Sequence, residues 1–315
     1  MITTKKISIA LMAGGSSNER EISLNSGDTV YCALDKDKYN ITRYDPRDDL
    51  ELLFEQKANI DLALILLHGN LGEDGRIQGF LDTIGLPFVG SGVLASAIAS
   101  DKKIAKRIYE STGLNVIKDT FLIKGENFDP ALIMESLGPL TVVKPVSEGS
   151  SLGISVCKNR EELVKGIHLA FQFNPEVLVE QFIKGREISC CVIGNKELTT
   201  LPLVEILPDK KYDFFNYEAK YTPGATREIC PATIPEDIAE LARDCARKAH
   251  SALKCTVWSR TDMIIKGSEV YILETNTIPG MTEASLVPLS AKAAGISLSQ
   301  LLDRLIDLSL DPFPG

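Results

Sequence analysis

The stretch TVWSRTDMIIKGSEVYILETNTIPGM, residues 256–281, says most about the fold of this chain. Two apolar segments flank a short polar turn, a pattern typical of an antiparallel β-hairpin. Because side chains alternate along a strand, Arg260 and Asp262 share one face of the first strand, as Glu274 and Asn276 do on the second. Buried charges need compensation. Two carboxylates and an amide oxygen are hard ligands, which suit Mg²⁺ bound to phosphates.

The length of the turn decides whether these groups meet. Asp262 faces Glu274 only if Lys266 pairs with Val270, which leaves the three-residue loop 267–269. A two-residue turn would place the two carboxylates on opposite faces. We therefore predict the three-residue loop. The alternative is a surface hairpin that carries ordinary salt bridges.

A second stretch, LTVVKPVSEGSSLGISVC at 140–157, joins two predicted strands by a loop of small residues. Such residues let backbone N–H groups approach a phosphate closely. Lys144, at the end of the first strand, would direct its ammonium group to the same phosphates. The alternative is a plain hairpin loop with a surface lysine. The chain has no GxxxxGK[ST] motif, so this is not a Walker A loop.

The first hundred residues alternate between strands and helices. The apolar runs at 6–12, 61–67 and 86–90 predict buried strands of a parallel sheet, with a helix from Ser17 to about Leu34. His68 follows the second of these strands within LHGNLGEDG, where open α/β sheets bind ligands. Glu19 and Arg20 lie near a helix N-terminus, which attracts anions.

The rest of the chain changes character after Ser91. One long amphipathic helix is predicted from there to Gly113, and it carries Asp101, Lys102, Lys103 and Lys106. Hairpins then dominate. The further predicted strands are at about 119–123, 140–145, 153–157, 176–181, 187–194, 197–206, 256–265 and 269–275, and the helices at 159–172, 235–252 and 297–309. The polar, aromatic-rich stretch 208–228 has no clear period, which favours a lid.

Composition narrows the class of protein. The 315 residues carry a net charge of −9 without any basic block, which argues against nucleic acid or an anionic membrane as partner. No apolar run is long enough to span a bilayer, and the N-terminus lacks the features of a signal peptide. Seven cysteines without a CxxC pair predict buried free thiols of a cytoplasmic protein, and three scattered histidines give no case for zinc.

Five stretches together resemble the D-alanine–D-alanine ligases, a family with the ATP-grasp fold. They are GGSSNEREISLNSG (14–27), LHGNLGEDG (67–75), VVKPVSEGSSLG (142–153), NYEAKY (216–221) and ETNTIPGM (274–281). The resemblance implies an α/β and α+β architecture of three domains, the first with a doubly wound parallel sheet. We expect these domains at 1–100, 101–187 and 188–315, the last carrying the lid.

The resemblance also implies roles for individual residues. ATP would be bound by Lys102, Lys144, the loop residues Glu148, Gly149, Ser150 and Ser151, and by Glu180, Phe182, Ile183 and Glu187. Two Mg²⁺ (or Mn²⁺) ions would be held by Asp262, Glu274 and Asn276. The substrates would contact Glu19, His68, Lys220, Arg260, Gly280, Ser285 and Leu286. The catalytic set would be Glu19, Ser150, Tyr221 and Arg260, the first three forming a hydrogen-bonded trio.

The activity implied is ATP-dependent joining of two D-alanine molecules through an acyl phosphate, for peptidoglycan precursor synthesis in the cytoplasm. The partners implied are D-alanine, ATP and a second copy of the chain. The sequence departs from the usual family pattern at three positions. Val257 and Ser259 occur where glycine is common, and Ile278 in the PGM loop is larger than the usual residue.

Four alternatives are weighed against this activity. A D-alanine–D-lactate ligase is disfavoured by Tyr221, which the resemblance associates with dipeptide formation. Another ATP-grasp ligase is disfavoured by the substrate-side stretches 14–27 and 216–221. A non-catalytic relative would be expected to lack Arg260 or the metal ligands. A dinucleotide-dependent oxidoreductase rests only on GxGxxA at 90–95, which follows the last strand of its sheet instead of the first.

Overall fold

The computed structural model describes residues 5–147, 152–208 and 226–311. Its strands form three sheets, which use residues 7–89, 119–181 and 186–276. This succession of sheets is compatible with three domains, whose boundaries stay a prediction. Within the described ranges, no helix combines the length and apolar character needed to cross a membrane.

The first part of the chain is a four-stranded parallel sheet with flanking helices. Its elements are β1 (Ile7–Met12), α1 (Arg20–Ala33), β2 (Tyr39–Tyr44), α2 (Leu50–Gln56), a 3₁₀ turn (Lys57–Asn59), β3 (Leu62–Ile65), α3 (Arg76–Ile84), β4 (Phe88–Val89) and α4 (Val93–Ser100). The strand order is β2-β1-β3-β4, so the glycine motif at 90–95 indeed follows an edge strand. The three predicted strands and the helix after Ser17 are confirmed. Strand β2 was missed because the prediction followed continuous apolar runs, and YNITRY, with only part of its side chains buried, is not one.

The second part is an antiparallel sheet. Its elements are α5 (Lys102–Ser111), β5 (Asp119–Ile123), α6 (Pro130–Leu137), β6 (Thr141–Pro145), β7 (Ser155–Cys157), α7 (Arg160–Ala170) and β8 (Glu176–Gln181). The strand order is β5-β8-β6-β7. The strands and helix predicted here are confirmed.

The third part contains the hairpin. Its elements are β9 (Arg186–Ile193), β10 (Thr199–Thr200), β11 (Val204–Pro208), β12 (Thr226–Ile229), α8 (Glu236–Ala252), β13 (Trp258–Lys266), β14 (Glu269–Asn276), α9 (Leu286–Ala293) and α10 (Leu298–Leu310). The order is β12-β11-β9-β13-β14, and β10 pairs with β9. The predicted single strand at 197–206 was wrong. Pro202 has no N–H to donate, and the strand divides there.

The long helix predicted from Ser91 was also wrong, since it divides into α4 and α5. Asp101 leaves the helical conformation (φ −95°, ψ 100°), and its carboxylate accepts a hydrogen bond from the Ile104 amide at 2.9 Å. An aspartate in this position caps the start of a helix. The cap places Lys102 in the first turn of α5, at the wall of the cleft described below.

The polar groups of the hairpin face each other as predicted, but the turn that connects the two strands differs from the prediction. Arg260 pairs with Asn276, and Asp262 pairs with Glu274, as expected. The turn, however, has two residues, since Lys266 pairs with Glu269, so the three-residue loop was wrong. A β-bulge at Leu273 shifts the register by one residue between the turn and the polar groups. The bulge therefore restores the facing that a two-residue turn alone would have lost.

Hydrophobic packing joins the first sheet to the third. One core cluster contains Leu11 and Leu64 of the first sheet together with Trp258 and Met281 beside the hairpin. This core fixes the loops after β1 and β3 against the hairpin. All seven cysteines are free, and five are buried, but Cys32 is exposed, contrary to the expectation of buried thiols.

Candidate active site

A cleft of about 900 Å³ opens where the loops after β1 and β3, the start of α5 and the β13–β14 hairpin meet. Nine of the residues selected from the sequence line it: Glu19, His68, Lys102, Arg260, Glu274, Asn276, Gly280, Ser285 and Leu286. The structure therefore brings together the expected substrate contacts that it describes and two of the three expected metal ligands. Asp262, the third, is 7% exposed and reaches the cleft through Arg260.

Arg260 and Asp262 form a two-pronged ion pair on the hairpin. Nε and Nη2 of Arg260 donate to Oδ1 and Oδ2 of Asp262 at 2.9 and 2.7 Å, and Ser189 Oγ donates to Oδ1 at 2.7 Å. Burial alone would lower the pKa of Arg260, but Asp262, Glu274 and Glu73 outweigh it and raise the pKa. Arg260 is therefore a permanent cation at the cleft wall.

The same face of the hairpin carries a donor set that fits a divalent cation. Asp262 and Glu274 lie opposite each other, and the side chain of Asn276 lies 3.4 Å from Asp262. In this structure cations hold both carboxylates, since Lys102 Nζ is 3.6 Å from Glu274 and Arg260 covers Asp262. Carboxylates gathered and neutralised in this way are suited to exchange an organic cation for Mg²⁺.

The metal set depends on an amide oxygen as well as on carboxylates. Within the described residues, no group of three or more His, Cys, Asp or Glu side chains is placed to hold a metal ion. Asn276 turns its Nδ2 toward Asp262, and a half-turn of the amide would present oxygen instead. Metal binding by Asp262, Glu274 and Asn276 stays a prediction.

His68 is buried at the floor of the cleft. Its ring is 5% exposed, with Nε2 3.2 Å from Ser26 Oγ and Nδ1 3.5 Å from Glu73. The Ser26 hydroxyl also lies 3.4 Å from the amide of Met281, at the far side of the cleft. His68 thus links the loop after β3 with α1 and with the loop after β14.

Contacts with Asp45 hold the loop that presents Glu19 in place. Asp45 accepts the Gly15 amide at 2.8 Å and pairs with Arg20 at 2.6 Å. Burial would raise the pKa of Asp45, but Arg20 and the backbone amides outweigh burial and lower it. Gly69 has φ +68°, and a Cβ there would lie 2.6 Å from Glu19 Oε2. Only glycine leaves room for the Glu19 carboxylate at this point.

Ser285, Gly280 and Leu286 form the end of the cleft opposite Glu19. Ser285 Oγ accepts the Thr282 amide at 3.0 Å, and a Cβ on Gly280 would lie 2.8 Å from that oxygen. Leu286 is the first residue of α9, so backbone N–H groups of the first helical turn are oriented toward this end. A helix N-terminus with a hydroxyl beside it suits a carboxylate.

Among the described residues expected to bind the nucleotide, Lys102 lines this cleft, whereas Lys144, Glu180, Phe182, Ile183 and Glu187 do not. Lys144 Nζ is 2.6 Å from Glu180, which is 2% exposed. The Phe182 amide donates to the Leu140 carbonyl at 3.0 Å. Ile183 is 8% exposed and follows directly.

Glu187 lies on β9, where it pairs with Ile264 of β13, while Ser189 pairs with Asp262. Because alternate residues share a face, Glu187 and Asp262 lie on the same face of the sheet. Six expected site residues fall outside the described ranges: Glu148, Gly149, Ser150, Ser151, Lys220 and Tyr221. Most of the segment 208–228, expected to act as a lid, also lies outside them.

Several side chains of the site were not selected from the sequence. Ser26 and Glu73 contact His68, and Ser189 contacts Asp262. Glu73 lies inside the LHGNLGEDG stretch and could have been chosen with His68. Lys106, which contacts Glu180, is four residues after Lys102, so helical spacing places both on one side of α5.

Comparison with known proteins adds independent findings. Two family models match, one described as the D-ala D-ala ligase N-terminus over residues 45–91 and one as the D-ala D-ala ligase C-terminus over residues 108–307. The D-alanine–D-alanine ligase of Syntrophobacter fumaroxidans is 50% identical over 98% of this chain and 100% of its own length. That of Carboxydothermus hydrogenoformans is 42% identical over 96% of this chain and 98% of its own length.

Solved structures give the same result for the fold. The D-alanine–D-alanine ligase of Bacillus anthracis complexed with ATP superposes with a TM-score of 0.85 at 36% identity, covering 96% of this chain and 97% of that one. The VanG D-Ala:D-Ser ligase of Enterococcus faecalis superposes with a TM-score of 0.82 at 31% identity, covering 97% of this chain and 100% of that one.

Proposed function

The chain belongs to the D-alanine–D-alanine ligase family, and on that premise we propose that it joins two D-alanine molecules to D-alanyl-D-alanine with ATP, releasing ADP and phosphate. The observation that carries the proposal is the cleft in which the ion pair of Arg260 with Asp262 faces Glu19 and His68. A cation, a metal-type donor set and a separate carboxylate around one space are what acyl-phosphate chemistry on an amino acid requires.

The reaction needs two steps because a carboxylate is a poor electrophile at neutral pH. The carboxylate oxygen of the first D-alanine attacks the γ-phosphorus of ATP, and ADP leaves. The amine of the second D-alanine then attacks the acyl carbon of the acyl phosphate. The tetrahedral oxyanion that results collapses, and phosphate departs. Little covalent work falls to the protein, so positioning and charge neutralisation dominate.

The residues of the cleft divide this work. Glu19, kept in place by the pinned loop behind it, would hold the ammonium group of the first D-alanine. Ser285 and the start of α9 at Leu286 would hold the carboxylate of the second, together with Lys220, while Gly280 keeps that end open. Arg260 would neutralise charge that develops on phosphoryl and carbonyl oxygens. His68 lies close enough to act on either substrate, and no single role is assigned to it.

The donor set on the hairpin completes the phosphate site. Asp262, Glu274 and Asn276 would hold two Mg²⁺ (or Mn²⁺) ions, which supply neutralisation of charge on the transferring phosphoryl group when bound. Lys102 and Lys144, with the loop from Glu148 to Ser151, would contact the phosphates. Lys102 is already at the cleft wall beside Glu274. Ser150 and Tyr221 would join Glu19 in a hydrogen-bonded trio that links the lid to the substrate site.

The base and sugar of ATP would lie between the second and third sheets. Glu180, with the backbone of Phe182 and Ile183, would take adenine, and Glu187 would take the ribose hydroxyls. The product places the enzyme in peptidoglycan precursor synthesis, and we expect it in the cytoplasm as a homodimer. Tyr221, on which the choice of D-alanine over D-lactate rests, lies outside the described residues, so that choice stays a prediction.

Phosphate release from ATP and Mg²⁺ tests the proposal, with D-alanine, L-alanine, D-lactate or no acid added. We expect release with D-alanine alone, together with a product of the mass of the dipeptide. A requirement for D-lactate as well as D-alanine would favour the depsipeptide reaction. No release with any of these acids, in a protein that still binds ATP, would contradict the proposed substrate while leaving the nucleotide site intact.

A further inference from the structure

Lys106 is a buried lysine that the proposed mechanism does not use. It lies on α5, is 1% exposed and does not line the cleft. Its Nζ donates to Glu180 Oε1 at 2.5 Å and to the Ile117 carbonyl at 2.7 Å, and lies 2.7 Å from Asp119 Oδ2. Burying an ammonium group is unfavourable unless it is paired. These three contacts compensate the charge and fix the side chain in one position.

Lys106 belongs to a chain of alternating charges, which we term the charge ladder. The ladder runs from Arg107, half-exposed, through Asp119, Lys106 and Glu180 to Lys144. Asp119 and Glu180 are neighbours across β5 and β8, so the sheet itself sets their spacing. Three cations face two carboxylates. The end of the ladder, Lys144, is the residue expected to contact ATP phosphates.

The two partners of Glu180 differ in how firmly they are held. Lys106 makes a hydrogen bond to Oε1, whereas Lys144 lies 2.6 Å from Oε2 without the alignment of a hydrogen bond. Lys144 is also more exposed, with 15% of its side chain accessible against 1% for Lys106. Lys144 is therefore the movable partner and Lys106 the fixed one.

Departure of Lys144 toward a phosphate has a consequence for Glu180. Burial alone would raise the pKa of Glu180, but Lys144 and Lys106 outweigh burial and hold the pKa below its ordinary value. If Lys144 left and no second cation were present, the buried carboxylate would take up a proton. With Lys106 in place, Glu180 keeps its charge, and Oε2 becomes an open acceptor.

We propose that Lys106 is a positioning residue that keeps Glu180 an ionised, acceptor-only group and thereby selects adenine over guanine. Adenine presents an amino group at C6, which donates, whereas guanine presents a carbonyl oxygen there, which accepts. An ionised carboxylate can only accept, so it pairs with the first and repels the second. A protonated Glu180 could donate to guanine. Lys106 acts through Glu180 and touches neither substrate, and the inference rests on the proposed adenine contact of Glu180.

The test replaces the charge but keeps a hydrogen-bond donor, in Lys106→Gln. Steady-state kinetics are measured for ATP, GTP and D-alanine separately. We expect KM for ATP to rise about tenfold to a hundredfold, which is the range for losing a charge-assisted hydrogen bond. KM for D-alanine should stay within about twofold, because Lys106 lies outside the cleft. The ratio of kcat/KM for ATP over GTP should fall about tenfold or more.

A matched control exists on the same two elements. Lys103 of α5 pairs with Glu176 of β8 at 3.0 Å, and both side chains are 35% exposed. Lys103→Gln removes the same kind of contact between the same helix and strand, but it does not touch Glu180. We expect KM for ATP and the ATP/GTP ratio to stay within about twofold.

A double variant covers the case in which Lys106→Gln does not fold. Lys106→Gln with Glu180→Gln removes both members of the pair, and Asp119 keeps Arg107 at 3.4 Å as its counter-charge, which is less damaging than leaving one charge buried alone. Its KM for ATP should equal that of Glu180→Gln, because Lys106 acts only through Glu180. A further rise beyond Glu180→Gln would overturn the inference.

The inference is also overturned if folded Lys106→Gln keeps the wild-type KM for ATP, or loses D-alanine and ATP binding in parallel. Either result concerns only the role of Lys106. The proposed function would stand as long as the wild type forms the dipeptide from ATP and D-alanine. Failure of the wild type to use ATP and D-alanine at all would instead contradict the proposed function.

Discussion

Two ion clusters of similar composition differ in what surrounds them. Around Glu180, Lys106 and Lys144 hold both carboxylate oxygens at a position that is 2% exposed. Around Asp262, Arg260 holds both oxygens in the same way, but Arg260 forms the wall of an open cleft. In the first cluster, which we term the enclosed cluster, Lys106 stays fixed and only Lys144 can leave. In the second, the cleft cluster, Arg260 itself borders the space that a ligand would occupy.

The same kinds of charge therefore serve two purposes in this protein. A buried pair is costly to break by removing one partner, and it mainly fixes a conformation. A pair at a cleft wall can exchange its partners for substrate or metal, so its loss is felt in the rate of the reaction. Isosteric substitutions in each cluster should separate these purposes.

The largest effect is expected from Asp262→Asn in the cleft cluster. The change removes a proposed metal ligand and leaves Arg260 without its counter-charge. We expect kcat to fall about 10³-fold, since metal and charge stabilisation of this kind supply several kcal/mol. Phosphate release at saturating ATP, D-alanine and Mg²⁺ measures it.

The control is Ser189→Ala, which removes one hydrogen bond to Asp262 and keeps both charges. A loss of about tenfold or less is expected, because one neutral donor to a carboxylate contributes about 1.5 kcal/mol. Near-normal kcat in Asp262→Asn would show that the cleft cluster serves structure and not the reaction.

The next effect is expected in the enclosed cluster. Glu180→Gln leaves Lys106 with Asp119 as its remaining counter-charge and leaves Lys144 beside a neutral amide, so we expect a loss of about 3 kcal/mol in the free energy of unfolding. Urea denaturation at pH 7 measures it. Asp262→Asn, measured in the same way, should lose less, because the side chain of Asp262 is 10% exposed against 3% for Glu180, and solvent therefore screens its ion pair more. Equal losses in both variants would remove the distinction between the clusters.

The hairpin shows how far sequence reasoning carries the fold. Alternation along two apolar strands correctly places Asp262 opposite Glu274. The turn length was wrong, because a β-bulge at Leu273 compensates a two-residue turn. A bulge leaves no mark in a single sequence when the residue concerned is an ordinary apolar one. Side-chain alternation therefore predicts which residues face each other only if both strands are regular.

In the site, too, some residues are predictable from sequence motifs, whereas others depend on how the elements pack. His68 was selected from its place after a buried strand and from the resemblance, and Arg260 from its place on the polar face of the hairpin, and both line the cleft. Ser26 and Asp119 were missed, since their contacts depend on how separate elements pack against each other. Lys106 was noticed as part of a helix, but its burial follows only from the docking of α5 against β5 and β8.

A smaller effect is expected behind the cleft cluster, where His250 lies buried against Ser259 at 2.8 Å. Burial lowers the pKa of His250 to about 4. The unfolded chain binds a proton near the ordinary pKa of 6.5, so stability is full above that pH and falls as the pH approaches 4. Between pH 7 and pH 5 we expect a loss of about 2 kcal/mol, which urea denaturation across this range measures.

His250→Gln should remove this part of the pH dependence. The exposed His168 provides the control, and His168→Gln should leave the curve of the wild type unchanged. A wild-type curve that is flat between pH 7 and pH 5 would show that the histidine is not held neutral behind the hairpin.

The smallest effect is expected at the half-exposed pair of Lys103 with Glu176, which connects the same helix and strand at a more exposed position. The pair joins α5 to β8, as Lys106 and Glu180 do, at 3.0 Å. Solvent screens such a pair, so Glu176→Gln should lower the free energy of unfolding by less than about 1 kcal/mol. Raising NaCl from low to 1 M should reduce this difference further, whereas the loss in Glu180→Gln should persist because salt screens buried charges far less. If Glu176→Gln and Glu180→Gln lost equal stability with equal salt dependence, burial would not be what separates the two clusters, and the fixed position of Lys106 would need another cause.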